Sequence, residues 1–310
     1  MYERLEDISS LFRVKKLFNS KNWATKESSD YKKPTRFDRF CTRIATLKQK
    51  QQIDFFLELS EDIRIIDAKE FEELICYSIM NFLEKVDVSD ASNIYIYPLI
   101  SPFAKVGDKY YEIRSGSKSS EYLHGALKRF DCSFISDKVS LEIEDNFKVI
   151  MSKFDNTKDF LLLIDDFIGS GDTAIKTCRE IISYFQDPKN AIANNKKILD
   201  KNIKIVCIAA QEQGLKFIQD EIGIVTFADI VLKKGISDKY EGENLDIKLE
   251  LMKDMELALK VPNSYAMGYK KTESLIVLAH RPPNNTFPVY WWETNEKPAP
   301  FPRYSLYLKK

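Results

Sequence analysis

Residues 160–173, FLLLIDDFIGSGDT, decide the fold class of this chain. The stretch opens with a continuous apolar run, which is typical of a β-strand that is buried on both faces. Two carboxylates and a turn of small residues follow it. Over residues 172–185 the apolar side chains then repeat on one helical face. A buried strand, a turn and an amphipathic helix in this order predict one strand–helix unit of a parallel sheet.

Apolar runs of strand length recur on both sides of this unit. They cover residues 94–100, 203–210, 224–232 and 274–280. Between them, residues 214–221 and 245–260 have the spacing of amphipathic helices. Buried strands that alternate with helices predict an α/β fold, with a parallel sheet of about five strands and flanking helices.

The composition along the chain predicts four segments. The first is polar, the second has helical spacing, the third contains the strands, and the last holds six of the eleven prolines. We therefore expect an irregular N-terminal arm at 1–35, a helical cap at 36–90, an α/β core at 91–280 and a C-terminal hood or tail at 281–310.

The overall composition excludes several classes of protein. The 310 residues carry 47 basic and 47 acidic side chains, so no global positive field favours nucleic acid, although a local basic patch stays open. Five widely spaced cysteines without a CxxC pair argue against a disulfide framework or a zinc site. The N-terminus has no apolar signal segment, and no run is long enough to span a membrane. We expect a cytoplasmic chain without a membrane partner.

The turn after the 160–168 strand has the chemistry of an anion cradle. Gly169 and Gly171 allow the backbone to bend so that several N–H groups converge, and the helix that follows adds the positive end of its dipole. Ser170 and Thr173 contribute hydroxyl donors. Asp172 suits the helix dipole but would repel a phosphate if its carboxylate pointed inward. These five residues are the predicted phosphate-binding set.

Asp165 and Asp166 stand at the entrance of this cradle. Carboxylates accept hydrogen bonds from the vicinal hydroxyls of a ribose, so a phosphorylated sugar fits the combination. The two side chains diverge because neighbouring strand residues point to opposite faces. We assign one to the ribose diol and the other to metal-linked or structural work, and both are the candidate catalytic residues. A purely structural strand with acidic ends is the alternative.

A second small-residue turn, RSGSKSS at 114–120, precedes a predicted helix. It could take pyrophosphate or another anion, although a polar loop with a serine N-cap explains it equally well. The residues of this second anion site are Ser115, Gly116, Ser117, Lys118 and Ser119.

A third candidate follows the apolar run at 274–280. His280, Asn284, Asn285 and Thr286 offer imidazole, amide and hydroxyl groups that could contact a base, and the Trp291–Trp292 pair could stack on it. Simple packing of these aromatic side chains is the alternative, and for His280 a structural hydrogen bond is as well supported as acid–base chemistry.

The segment 160–173 resembles the 5-phosphoribosyl-1-pyrophosphate (PRPP) motif of type I phosphoribosyltransferases. Four apolar residues and two acids precede a turn of the form I-x-[ST]-G-x-T, filled here by Ile168, Ser170, Gly171 and Thr173. A Walker B strand is disfavoured because no G-x-x-x-x-G-K-[ST] partner occurs in the chain. The resemblance implies that the turn binds the 5′-phosphate, the acids face the ribose, and Mg²⁺ binds the pyrophosphate.

The late segment narrows the resemblance. Residues 274–292 are similar to a motif close to H-x-T-P-N-N-T-L-P-x-x-W, although Arg281 and Pro282 depart from it. This motif is typical of the phosphoribosyltransferase-like (PRTase-CE-like) family of bacterial conflict and anti-phage systems, some of whose members accompany retrons. The family implies an effector enzyme that binds PRPP or a nucleotide and acts at ribose C1′ with Mg²⁺.

The family also implies partners, namely a retron reverse transcriptase with its msDNA or another defence protein, and a homo-oligomer is compatible with it. Two other functions stay open at this point. One is a non-catalytic sensor that binds PRPP or a nucleotide and signals to a partner protein. The other is a structural adaptor in a nucleic-acid complex.

Overall fold

The architecture is taken from a computed structural model. It describes residues 8–27, 29, 33–85, 93–106, 109–112, 123, 125–127, 140–144, 146–155, 157–186, 202–279, 281–294 and 298–303. The helices are α1 (Ile8–Ser20), α2 (Arg36–Ala45), α3 (Lys50–Asp62), α4 (Ala68–Lys85), α5 (Phe147–Lys153), α6 (Asp172–Gln186), α7 (Glu212–Ile222) and α8 (Gly242–Ala258). The strands are β1 (Arg64–Ile65), β2 (Asn93–Pro98), β3 (Phe103–Val106), β4 (Lys109–Glu112), β5 (Ser140–Ile143), β6 (Asp159–Ile168), β7 (Ile203–Gln211), β8 (Thr226–Leu232) and β9 (Ile276–Val277).

These elements form two compact units. We call Ala68–Leu232 the sheet unit, and Met1–Asp67 together with Lys233–Lys310 the aromatic unit. This grouping differs from the four predicted segments, because α4 belongs with the sheet while residues 233–280 belong with the N-terminal helices.

The sheet unit contains a five-stranded parallel sheet in the order β5-β2-β6-β7-β8. Residues Leu161 to Ile164 of β6 are fully buried, and so is nearly all of β7, because helices cover both faces of these central strands. Leu161 and Leu163 share a core with Cys178 and Ile181 of α6. Helix α4 contacts β7 and β8. The predicted α/β class and the parallel sheet of five strands are confirmed.

One predicted strand of this sheet is wrong. Residues 274–280 do not enter it; within them β9 pairs in parallel with β1, in the aromatic unit. The fifth strand is β5, which pairs with β2 at the edge of the sheet. The apolar run at 274–280 reflects burial in the core of the aromatic unit rather than membership of the main sheet.

The aromatic unit is built around interlocking rings. Phe18 of α1 makes edge contacts with Trp23 and Phe40, each at 5.1 Å between centroids, and Phe40 contacts Phe301 at 5.7 Å. Edge-to-face pairs of this kind add to the stabilisation that burial gives. Helix α1 therefore occupies residues for which the polar composition predicts an irregular arm, because Phe18 and its helical neighbours on one face are buried.

Two further findings concern the whole described chain. No helix within the described residues is both long and apolar enough to cross a membrane. The four cysteines that the structure describes, Cys41, Cys76, Cys178 and Cys207, are free thiols.

Candidate functional site

The order of the sheet strands places a topological switch point at the carboxyl ends of β2 and β6. In chain order the sheet strands are β2, β5, β6, β7 and β8, and in space β5 and β6 lie on opposite sides of β2. The connections that leave β2 and β6 therefore run to opposite sides. In open parallel sheets ligands bind at such a switch point, outside the carboxyl ends of the strands. Here that position lies between Pro98, which ends β2, and Ile168, which ends β6.

The predicted phosphate cradle lies at this switch point. Strand β6 ends at Ile168, residues 169–171 form the turn, and α6 begins at Asp172. Gly171 adopts φ +84°, a left-handed conformation that a side chain would strain, and its carbonyl accepts the helical bond from Ile175 N at 3.0 Å. The first-turn amides of α6 have no acceptor within their own helix, so they are directed toward the turn. The backbone thus has the geometry of an anion site.

Gly214, in the first turn of α7, supports this turn from behind. A Cβ at Gly214 would lie closer to the carbonyl oxygen of Gly169 than any van der Waals contact, and a Cβ at Gly171 would lie 2.9 Å from the carbonyl oxygen of Gly214. The two backbone segments approach so closely only because both positions lack side chains. Gly214 was not among the predicted site residues; its one signal in the sequence is a glycine in the first turn of a predicted helix.

The two aspartates differ in exposure. Asp165 is half-buried and its Oδ1 accepts a hydrogen bond from Asp166 N at 2.9 Å, whereas Asp166 is only 7% exposed. Asp165 is paired in register with Cys207 of β7, so these two side chains share a face of the sheet, and Asp166 points to the opposite face. Asp165 is therefore the more accessible carboxylate for a ligand.

The pKa of the Cys207 thiol is sensitive to the carboxylates that lie near it. Burial raises the pKa of the Cys207 thiol well above its usual range, and the negative charges of Asp165, Asp166 and Asp229 raise it further. Burial and the neighbouring charges therefore disfavour the reactive thiolate form of Cys207. Asp229, in the middle of β8, is a third carboxylate near Cys207, and it was not among the predicted site residues.

Asp229 is held by helix α4. The Asn81 amide donates to Asp229 Oδ1 at 2.8 Å, and the Ser78 hydroxyl donates to Asp229 Oδ2. These bonds compensate the carboxylate for lost water and fix α4 against the middle of β8. Asp229 therefore contributes to the structure of the edge as well as to its negative charge.

Ser170 and Asp172 interact directly. The Ser170 hydroxyl donates to Asp172 Oδ2 at 2.8 Å, and Asp172 N lies 3.5 Å from Ser170 Oγ. A phosphate in the cradle would compete with this carboxylate for the serine hydroxyl. Thr173 is exposed. The amides of the turn and the Thr173 hydroxyl are thus the donors that a phosphate could use without displacing Asp172.

Within the described residues, none of the other predicted site residues lies at the cradle. Ser115, Gly116, Ser117, Lys118, Ser119 and His280 lie outside the described residues. The chain that leaves β2 instead turns at residues 99–102, where Leu99 N donates to Ile164 O at 2.7 Å. These residues follow the carboxyl end of β2 at the switch point, and they were not among the predicted site residues.

Asn284, Asn285 and Thr286 belong to the aromatic unit. Thr286 is fully buried and donates to Ile276 O at 2.6 Å, while the Asn285 amide, 7% exposed, lies 3.2 Å from Thr272 Oγ1. The Trp291 indole donates to Thr286 O at 2.7 Å. These bonds fasten the C-terminal segment within its own unit, and the predicted contact with a base stays a prediction.

The donor set fits magnesium only if a ligand supplies most of the coordination. Within the described residues there is no group of three or more His, Cys, Asp or Glu side chains that could hold a metal. Mg²⁺ is, however, usually bound by one or two carboxylates together with the phosphates of a substrate. Asp165 at the end of β6 could supply such a carboxylate.

Comparison with known proteins agrees with this geometry. A search of curated proteins finds no match to the chain. The family model PRTase-CE matches residues 60–306, which is most of the chain and includes the strand, the cradle and the late motif. The chain therefore belongs to the PRTase-CE family, which is phosphoribosyltransferase-like.

Proposed function

We propose that this protein binds PRPP or a nucleotide through its 5′-phosphate and acts at ribose C1′. The observation that carries the proposal is the position of the Gly169–Ser170–Gly171 turn, which lies at the switch point of the sheet and begins three residues after Asp166. Membership of a phosphoribosyltransferase-like family supports the same class of ligand.

Each part of the site has a distinct role in this proposal. The amides of the turn and the first turn of α6 would bind the 5′-phosphate, as helix N-termini do for other anions. Asp165, the more exposed carboxylate, would accept hydrogen bonds from the ribose diol. Asp166 is nearly buried, so we assign it to orienting this strand end rather than to direct contact.

The chemistry would be substitution at C1′. The bond from C1′ to the pyrophosphate oxygen breaks, pyrophosphate leaves with the electron pair, and a nucleophile forms the new bond to C1′. Positive charge develops on the sugar, and Asp165, near the carboxyl end of β6, would stabilise it. When bound, Mg²⁺ would neutralise charge on the departing pyrophosphate. No side chain need act as a strong base.

The biological setting is proposed from the resemblance of the late motif to the conflict-system family. It supports an anti-phage effector in the cytoplasm whose partner is a retron reverse transcriptase with its msDNA or another defence protein. The toxic result would be depletion or modification of nucleotides.

A non-catalytic sensor of the same ligands is the second candidate. It is favoured by the Ser170 hydroxyl, which already donates to Asp172, and by the burial of Asp166. A site with one accessible carboxylate and one engaged hydroxyl suits binding more than turnover. The sensor would signal to a partner protein whether a ligand occupies the cradle.

Isothermal titration of the full chain with PRPP and Mg²⁺, followed by analysis of products, tests both candidates. We expect PRPP to bind the native chain, Asp165→Asn to weaken binding at least tenfold, and the exposed control Asp220→Asn to leave it unchanged. Release of pyrophosphate identifies the enzyme, and tight binding without products, also when a cell extract supplies possible acceptors, identifies the sensor. Equal affinity in all three proteins, or no binding by the native chain, would contradict the proposal and favour a structural adaptor.

A further inference from the structure

Strand β8 forms one edge of the main sheet. Among the residues that the structure describes, its only neighbour in the sheet is β7, with which it keeps one constant register. Val225, directly before β8, accepts a hydrogen bond at its carbonyl oxygen from Ile205 N of β7 at 3.0 Å. Backbone groups alternate in direction along a strand, so those of every second residue point away from β7. These outward backbone groups belong to Thr226, Ala228, Ile230 and Leu232.

The two edges of the sheet differ in how they are protected. Strand β5, at the other edge, has four residues and carries Glu142, which pairs with Lys153 at 2.9 Å. Strand β8 has seven residues, none of them Lys or Pro, and its constant register with β7 leaves no bulge. Its one charged residue, Asp229, is held by α4. Short length, charge, proline and bulges are the usual protection of an edge against pairing with another strand, and β8 has little of it.

Two exposed valines lie near the ends of this edge. Val225 is 45% exposed and Val231 is 52% exposed. Because side chains alternate along a strand, both lie on the same face of the sheet as Asp229. If a second copy pairs antiparallel, with Ala228 opposite its own counterpart, Val225 of each copy lies opposite Val231 of the other. Both exposed valines are then buried against each other, twice.

The charges favour the same register. Lys85, exposed at the end of α4, has its Nζ 4.8 Å from the ring centroid of Phe227. In the register centred on Ala228, Phe227 lies opposite Asp229 of the second copy, so Lys85 can reach that carboxylate. A slide that centres the pair on Asp229 would instead place two aspartates directly opposite each other, which is destabilising. The edge is therefore complementary to itself in charge and in apolar surface.

We propose that β8 is an interface between two copies of this chain, which pair antiparallel about Ala228. The outward N–H and C=O groups of the two strands bond to each other, and the two five-stranded sheets become continuous. Such a two-fold interface uses the same patch on both copies, so each contact is made twice. The proposal goes beyond the function proposed for the cradle and does not depend on it.

Sedimentation of the full chain over a range of concentrations tests the interface. We expect a dimer, and Val231→Lys should raise its dissociation constant at least tenfold, because both valine pairs are lost and two charges enter the interface. Lys85→Glu should raise it about three- to tenfold, since it faces Asp229 of the other copy. The control is Ile247→Lys on α8, where an apolar side chain of similar exposure, 47%, lies outside the sheet unit. Far-UV circular dichroism checks that the variants remain folded.

Cysteine cross-linking tests the register. Val225 and Val231 are six residues apart, or about 20 Å along the strand, so a disulfide between cysteines at these positions must join two copies. The double variant Val225→Cys/Val231→Cys should give a covalent dimer on oxidation. Each single variant should give no more than the native chain, because equivalent positions of the two copies are also about 20 Å apart.

Three results would overturn the proposal. A native chain that stays monomeric at every concentration would leave β8 for a strand of a different protein, and self-pairing would be wrong. A dimer that Val231→Lys leaves intact would place the interface elsewhere. Single cysteine variants that cross-link as well as the double variant would contradict the register. Failure of PRPP to bind would contradict only the function proposed for the cradle.

Discussion

Glu256 lies on α8 with its side chain almost fully buried, and its Oε2 accepts a hydrogen bond from Met267 N at 2.9 Å. Burial raises the pKa of this carboxyl from 4.5 to about 8, and the negative charge of Glu273 acts in the same direction, against the Met267 bond. The folded chain therefore keeps a proton that the unfolded chain has lost. Between pH 4.5 and about 8 the free energy of unfolding should fall as pH rises.

Replacement Glu256→Gln should remove this pH dependence. The native chain should lose up to about 1.4 kcal/mol of stability per pH unit relative to the variant, and the difference should level off above pH 8. Urea unfolding followed by tryptophan fluorescence measures it, because Trp23, Trp291 and Trp292 all lie in the aromatic unit with Glu256. The exposed Glu250→Gln is the control. Parallel pH profiles for native chain and Glu256→Gln would refute the assignment.

Asp172 places a negative charge beside the cradle, where it holds the Ser170 hydroxyl. Replacement Asp172→Asn should remove like-charge repulsion and weaken the hydrogen bond that holds the Ser170 hydroxyl, because a neutral amide oxygen replaces the carboxylate. PRPP should therefore bind about three- to tenfold more tightly. The variant should also lose roughly 0.3–1 kcal/mol of helix stabilisation at the N-terminus of α6. Titration beside Asp220→Asn measures the affinity change. Weaker binding in Asp172→Asn would show that the carboxylate assists the ligand instead.

At the scale of elements, the cradle depends on how closely α7 approaches the turn after β6. Replacement Gly214→Ala would force its Cβ against the carbonyl oxygen of Gly169. The turn must then shift, so we expect PRPP binding to weaken at least tenfold and stability to fall by about 1–3 kcal/mol. Titration and thermal unfolding measure the two effects.

Gly125→Ala is the matched control for this substitution, because a Cβ at Gly125 meets nothing within 4 Å. It should leave both PRPP affinity and stability close to those of the native chain. If Gly214→Ala behaves like Gly125→Ala, the turn does not depend on the contact with α7.

The sequence predicts the elements whose pattern is local and misses those that depend on distant partners. Strand β6, the cradle and α6 follow one another directly along the chain. The apolar run, the glycines and the helical spacing are therefore sufficient to predict them. Strand β5 has partly exposed residues at a sheet edge and lacks an apolar run. The run at 274–280 has the pattern of a strand of the main sheet, because burial in the core of either unit requires the same apolar residue types. The role of Gly214 depends on the close approach of α7 to the turn, and no local sequence pattern predicts that contact.

For the whole molecule, the division into two units separates the candidate ligand site from the tryptophans. The cradle lies in the sheet unit, whereas Trp23, Trp291 and Trp292 lie in the aromatic unit. Each unit has its own buried core. A two-unit chain need not unfold in one step. Tryptophan emission therefore follows one unit, while far-UV circular dichroism follows the helices of both.

Saturating PRPP with Mg²⁺ should stabilise the unit that binds it. A ligand that binds only the folded state adds RT ln(1 + [L]/Kd), or about 2.7 kcal/mol at one hundred times Kd. We therefore expect the unfolding midpoint by circular dichroism to rise with PRPP concentration in the native chain, and to rise less in Asp165→Asn at the same concentration, because that variant binds PRPP more weakly. Because neither the turn nor the aspartates belong to the aromatic unit, the tryptophan transition moves only if the two units unfold together. If the circular dichroism midpoint does not change at any PRPP concentration, the cradle is not a PRPP site.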